Sequence, residues 1–161
     1  TGLESNIGQR LYSVRNHLKE DNIFMANYTD GLSDINLKLY LDFFIKRDRV
    51  GSLLSVRAPL GFHQVLSGKN GTVKEIKYGL GDYNLRVNAG FFIFKKEIFD
   101  YIQEGEELVE KPFERLIGEN QLLAYGHDGF WKNIDNYKDK IEIEELYIKD
   151  NAPWMVWSDY I

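Results

Sequence analysis

At 161 residues, with 43% hydrophobic and 14% aromatic side chains, the chain can bury the core of one domain, which excludes an intrinsically disordered segment. Charged residues make up 28% and the formal net charge is −5, so the surface repels nucleic-acid backbones, and a polyanionic ligand such as a nucleoside triphosphate needs a local cation, the role a carboxylate-held divalent metal fills. Cysteine is absent, which excludes disulfides, thiolate nucleophiles and cysteine-ligated zinc and fits a reducing compartment.

In chain order, Ile23 to Tyr28 predicts a strand closed by the turn Thr29-Asp30-Gly31. A helix follows, with Ser33 or Asp34 as its N-cap, Leu37, Tyr40, Leu41 and Phe44 at helical spacing, and a basic end at Lys46-Arg47. Ser52 to Val56 reads as a second strand. Pro59, Gly61, Gly68 and the Asn70-Gly71 pair then punctuate short strands through Ile76. Val87 to Phe94 is nearly all apolar, the pattern of a central strand covered on both faces. Short helices are predicted over Lys96 to Ile102 and over Pro112 to Glu119, the second with proline in its first turn, and a strand over Gln121 to Tyr125. The last helix is predicted from Asp135 to Lys149, with Tyr137, Ile141 and Ile148 on one stripe, before Ala152 to Trp157 trails off. These elements make a single α/β unit over residues 1–161, a mixed sheet with covering helices. Runs such as Phe91 to Phe94 fall far short of the roughly 20 apolar residues that span a bilayer, and no basic-then-apolar leader opens the chain, so the expectation is a cytoplasmic protein with no membrane partner.

One ordered string of motifs carries more than composition does. Thr1-Gly2 opens the chain and Asp30-Gly31-Leu32-Ser33-Asp34 follows the first strand. Next come Asn88-Ala89-Gly90-Phe91-Phe92, Pro112-Phe113-Glu114-Arg115-Leu116 and Gln121 to Tyr125. His127-Asp128-Gly129-Phe130-Trp131, Asp135, Asp139-Lys140 and Ala152-Pro153-Trp154 complete it. In this order the string resembles the sugar-1-phosphate nucleotidyltransferases, and within them the glucose-1-phosphate cytidylyltransferase group, over the whole chain. The resemblance implies a Rossmann-like fold of the nucleotide-diphospho-sugar transferase type. It implies a reaction in which a sugar 1-phosphate attacks the α-phosphorus of a nucleoside triphosphate and pyrophosphate leaves, without a protein nucleophile.

By the same resemblance, Asp30 and Asp135 hold Mg2+, and Asn88, Gly90, Lys77 and Trp131 face the sugar phosphate. Local readings stand beside these. Asp30-Gly31 is a common turn pair and Asp135 a simple N-cap; Asn88 is equally a buried amide satisfying backbone, and Trp131, after Phe130, equally core. His17, His63 and His127 lack ligand spacing, and the acidic run Glu104 to Glu110 reads as a solvated face.

The chain departs from the family pattern in three places. The Gly-Thr-Arg loop and later Lys-Pro pair that cradle the triphosphate have no counterpart. The fold is therefore expected to be incomplete at its N-terminus, and the isolated chain inactive and either homo-oligomeric or dependent on the missing segment. The Glu-Lys-Pro sugar-phosphate motif falls on Glu75-Ile76-Lys77-Tyr78, keeping only its lysine as Lys77. His63 and Thr29 replace family glycines, which alters the shape of the sugar site and leaves base and sugar open. A truncated, non-catalytic paralogue acting as a binding or regulatory module is the alternative; a metal-dependent glycosyltransferase is a third.

Overall fold

The computed structural model describes residues 2–57, 63–67, 69–78 and 85–157. Its centre is a four-stranded mixed sheet in the order β1-β6-β3-β7, formed by β1 (Ile23–Asn27), β6 (Arg86–Lys95), β3 (Gly51–Arg57) and β7 (Leu122–His127). β6 pairs antiparallel with both β1 and β3, while β3 and β7 run parallel. The apolar run therefore lies inside the sheet, as its composition predicts, and its alternation splits the core. Phe92 and Phe94 enter one cluster with Phe24, Ile98, Phe113 and Leu116; Ala89 and Ile93 enter the other with Tyr40, Phe44, Leu54 and Val56. The described residues form four α-helices, α1 (Ile7–Val14), α2 (Leu37–Arg47), α3 (Lys111–Gly118) and α4 (Tyr137–Ile148), of which the first three pack on the sheet. The first cluster takes side chains from α1 and α3 and the second from α2, so both faces of the sheet are covered.

Two ladders stand outside the main sheet. β4 (His63–Ser67) and β5 (Val73–Tyr78) form an antiparallel hairpin, turned at Gly71 with φ +81°, where the Thr72 N–H donates to Asn70 Oδ1 at 3.2 Å. The sequence places Asn70-Gly71 at this turn correctly, whereas Pro59, Gly61 and Gly68 lie outside the described residues. β2 (Gly31–Ser33) and β8 (Trp131–Asn133) make a second antiparallel pair, Gly31 opposite Asn133 and Ser33 opposite Trp131.

Several boundaries differ from the sequence expectation for identifiable reasons. The N-cap of α2 is Asn36, whose side chain accepts from Leu39 N–H; Ser33 and Asp34 are engaged instead by the loop before β8. α4 starts at Tyr137 and is capped by Asn136, not Asp135, through a capping box closed by Asp139. Of the predicted stripe on α4, Tyr137 and Ile148 are 75% and 79% exposed and Ile141 is partly buried, while the residue the helix buries is Ile143. The predicted helix after β6 is a 3₁₀ turn over Lys96–Asp100. α1, absent from the sequence reading, carries its own capping box from Asn6 and Gln9.

Candidate active site at the β2–β8 ladder

The site grows from an irregularity in β6. Against β3, the register runs Leu53 opposite Phe92 and then Ser55 opposite Asn88, so two surplus residues of β6 bulge out between them. Gly90 sits in this bulge at φ +76°, where an added Cβ would lie 2.5 Å from the Tyr28 ring. The bulged backbone is tied down by side chains and by β1. Asn88 Oδ1 accepts from Gly90 N–H at 3.0 Å, Tyr28 N–H donates to the Gly90 carbonyl at 2.8 Å, and Trp131 Nε1–H donates to the Ala89 carbonyl at 2.9 Å. Asn88, Gly90 and Trp131 are thus brought together in one structural unit. Trp131 is half-buried and packs on the second core cluster, so its body belongs to the core while its indole N–H holds the bulge.

Gly31 connects the bulge to Asp30. A Cβ on Gly31 would meet the Ala89 carbonyl at 3.6 Å and Trp131 Nε1 at 3.8 Å, so the residue next to Asp30 lies against the bulge's own hydrogen bond. From there the β2–β8 ladder leads to Asp135. The Ile134 N–H donates to the Asp30 carbonyl at 2.9 Å, which makes the residue before Asp135 a direct backbone partner of Asp30. Sequence positions about a hundred apart therefore flank the end of one short ladder. Lys77 lies in β5 with its backbone opposite Gln64; its side chain is outside the described part of the molecule.

Around Asp30, a cavity of about 620 Å³ is lined by Arg10 of α1, Tyr28, Thr29, Phe92 and Glu107 among others. Burial raises the Tyr28 phenol above its ordinary pKa, the negative charges of Glu107 and Asp30 push the same way, and a hydrogen bond with Asn88 opposes them. Tyr28 is a site residue that sequence reasoning passes over as the end of a strand. Its only signal is its place directly before Thr29-Asp30.

The loop carrying β8 is fastened by a polar latch. Asp34 Oδ1 lies 2.7 Å from His127 Nε2, and the Phe130 carbonyl accepts from Ser33 Oγ–H at 2.9 Å and from Asp34 N–H at 3.2 Å. Since both Asp34 Oδ1 and the Phe130 carbonyl, 3.4 Å away, are acceptors, the proton belongs on His127 Nε2. Gly129 closes against this pair: a Cβ there would lie 2.5 Å from Asp34 Oδ1 and 2.6 Å from His127 Cε1.

The backbone bond from Ile134 brings Asp30 and Asp135 to the same ladder end, and carboxylate oxygens are the hard donors that Mg2+ takes, one or two at a time. Among the described residues no group of three or more His, Asp or Glu side chains gathers as a metal cage, and no helix is long and apolar enough to cross a membrane.

The mixed sheet with its covering helices is the nucleotide-diphospho-sugar transferase fold. It superposes on a protein of Bacillus anthracis described as a glucose-1-phosphate thymidylyltransferase, solved with sucrose, at TM-score 0.66 and 12% identity, covering 91% of this chain and 62% of that one. In sequence, the chain is a relative of the sugar-1-phosphate nucleotidyltransferases. It is 30% identical over 159 residues to the glucose-1-phosphate cytidylyltransferase of Salmonella typhimurium and 31% identical over 161 residues to that of Salmonella typhi. Each match takes in 98% of this chain and 62% of the relative, so the chain spans less than two thirds of the relatives' length. No protein-family profile matches it.

Proposed function

We propose that this chain supplies the metal and acceptor-sugar sites of a sugar-1-phosphate nucleotidyltransferase acting on a nucleoside triphosphate and a sugar 1-phosphate. The observation that carries the reading is the β2–β8 ladder, which joins Asp30 to the residue before Asp135 across most of the chain. The ladder is held by its own hydrogen bonds, and it brings the two aspartates of the motif string to one ladder end, as a shared cation requires. Asp30 and Asp135 would hold Mg2+, which when bound supplies neutralising charge to the triphosphate.

The chain's own work is then positional. Asn88 and Tyr28 offer a polar pair toward a sugar hydroxyl, Gly90 allows close approach at the bulge, and Trp131 fixes the bulge from behind. Lys77 is the proposed partner of the sugar phosphate. With the two phosphates aligned, the sugar-phosphate oxygen bonds to the α-phosphorus while the bond to pyrophosphate breaks, so no protein group needs to become covalently attached. With a net charge of −5 the chain as a whole has no general pull on polyanions, so attraction falls to local cations: Lys77, Arg10 of the cavity and the bound metal.

The test is pyrophosphate release by the full protein that carries this chain, supplied with Mg2+, CTP and glucose 1-phosphate, with other nucleotide and sugar pairs in parallel. Turnover is expected to fall at least about a hundredfold in Asp30→Asn and in Asp135→Asn, the scale of losing a major electrostatic element of a site. Turnover unchanged in both variants would sink the assignment, and no turnover with any pair would favour a non-catalytic paralogue.

A further inference from the structure

Asp135 is held by its neighbours on both its side chain and its backbone. Its Oδ2 accepts a hydrogen bond from Asn133 Nδ2. Its N–H donates to Asp139 Oδ2 at 3.2 Å, and the same oxygen receives the Asn136 N–H at 3.3 Å. The other oxygen of Asp139 lies 3.5 Å from Lys132 Nζ, which is also paired with Glu142. Lys132 and Asn133 belong to β8 and Asp139 and Glu142 to α4, so this network joins the ladder to the helix with Asp135 between them.

The chemistry of these partners is selective. A carboxylate in a connecting segment has rotamers to lose before it can bind a cation, and ordering it beforehand lowers that cost. Asn133 does this with a neutral amide that engages one oxygen, leaving Oδ1 its lone pairs and the carboxylate its charge. Lys132, the cation of β8 in this network, is drawn toward Asp139 and Glu142, whose opposite charges occupy it, and Glu142 also pairs with Lys138 on α4. A capping box alone accounts for Asp139 holding the Asn136 N–H. It does not account for the bond to Asp135 N–H, nor for Asn133, which lies outside the helix.

We infer that Asn133 and Asp139 are positioning residues for Asp135, Asn133 by orienting its carboxylate and Asp139 by fixing its backbone, so that Asp135 is preset for a divalent cation. The inference rests on the proposed pairing of Asp30 with Asp135.

The experiment measures Mn2+ binding to the full protein, without nucleotide or sugar, by paramagnetic broadening of assigned amide signals and by water-proton relaxation, with circular dichroism to confirm folding. Outer partners of metal ligands commonly set affinity by 10- to 100-fold, so Asn133→Ala and Asp139→Ala are each expected to weaken Mn2+ binding by about tenfold or more. Asp139→Asn, which loses the charge but keeps an oxygen acceptor for the Asp135 N–H, is expected to stay near the wild type. Equal weakening by Asp139→Ala and Asp139→Asn would overturn the positioning role of Asp139 in favour of simple charge. Wild-type binding in both Asn133→Ala and Asp139→Ala, while Asp135→Asn abolishes it, would overturn the inference alone. Binding unaffected by Asp30→Asn and Asp135→Asn, or no binding by the wild type, would overturn the metal pair itself and the inference with it.

Discussion

The four-stranded sheet and the β2–β8 ladder are both built from paired strands, yet they are held by different forces. Along β3 and β6 most residues are buried, and Phe94, Ile93 and Leu54 are fully so, which makes the sheet a product of apolar burial on two faces. In β2 and β8 every residue is only partly buried, and the ladder is kept in place by Trp131 on the Ala89 carbonyl, by His127 on Asp34 and by Ser33 on the Phe130 carbonyl. Burial is non-directional and tolerates displacement by fractions of an ångström, whereas hydrogen bonds fix distances and angles. The scaffold is therefore the source of stability and the ladder the source of geometry.

Substitutions can break that division. Phe94→Ala, at a fully buried ring between Phe92 and Phe113, is expected to cost about 3–5 kcal/mol in chemical denaturation, the range for deleting a core aromatic. Gly90→Ala should cost about 1–3 kcal/mol from its positive φ, with the 2.5 Å approach to Tyr28 adding to it, and should shift the amide signals of Tyr28 and Trp131 more than those of α3. Trp131→Phe removes the donor to the Ala89 carbonyl and should lower stability by about 1 kcal/mol, while changing Mn2+ or sugar-phosphate binding more than that figure would give for a core residue. Equal losses of stability and binding in all three variants would erase the distinction.

The smallest effect concerns the segment next to Glu107 of the cavity, where Arg115 grips Glu106 through two guanidinium nitrogens at 2.6 Å. That fork holds the Glu106 carboxyl at about 2, down from an ordinary 4.5. A depressed carboxylate pKa stabilises the fold above the unfolded-state value, so this contribution is complete above about pH 4.5 and fades as pH falls toward 2. Thermal melts over that window should show a shallower acid slope in Arg115→Met.

What could be read beforehand follows the same division. The central place of β6 was visible in Val87 to Phe94, and α3 in Pro112, because long apolar runs and proline have local signatures. β2 and β8 span three residues each, too short for any periodicity, and the two-residue bulge has no signature beyond a glycine. Ser33 and Asp34 looked like caps for α2 because those residue types cap helices. Their real partners, Phe130 and His127, are more than ninety residues away. The stripe on α4 is periodic, yet its ends Tyr137 and Ile148 are exposed, since periodicity reports a face without saying what covers it. Asp30 and Asp135 are singled out by motif resemblance, and nothing in their local sequence announces that they flank the end of one ladder.

The bulge in β6 also sets a rule for insertions and deletions. Its surplus is two residues, an even number, so side chains keep the same phase on either side of it: Val87 and Ile93 both join the second cluster. Losing one residue from Asn88 to Phe91 would invert that phase, turning one arm of the strand inside out and exchanging its two faces. Losing two would leave a regular ladder with both arms in phase. Among length variants at this locus, frames differing by pairs should therefore survive as folded proteins while odd ones are purged. The shortened survivors would be intact scaffolds without the bulge at which Gly90 meets Tyr28 and Trp131 meets the Ala89 carbonyl.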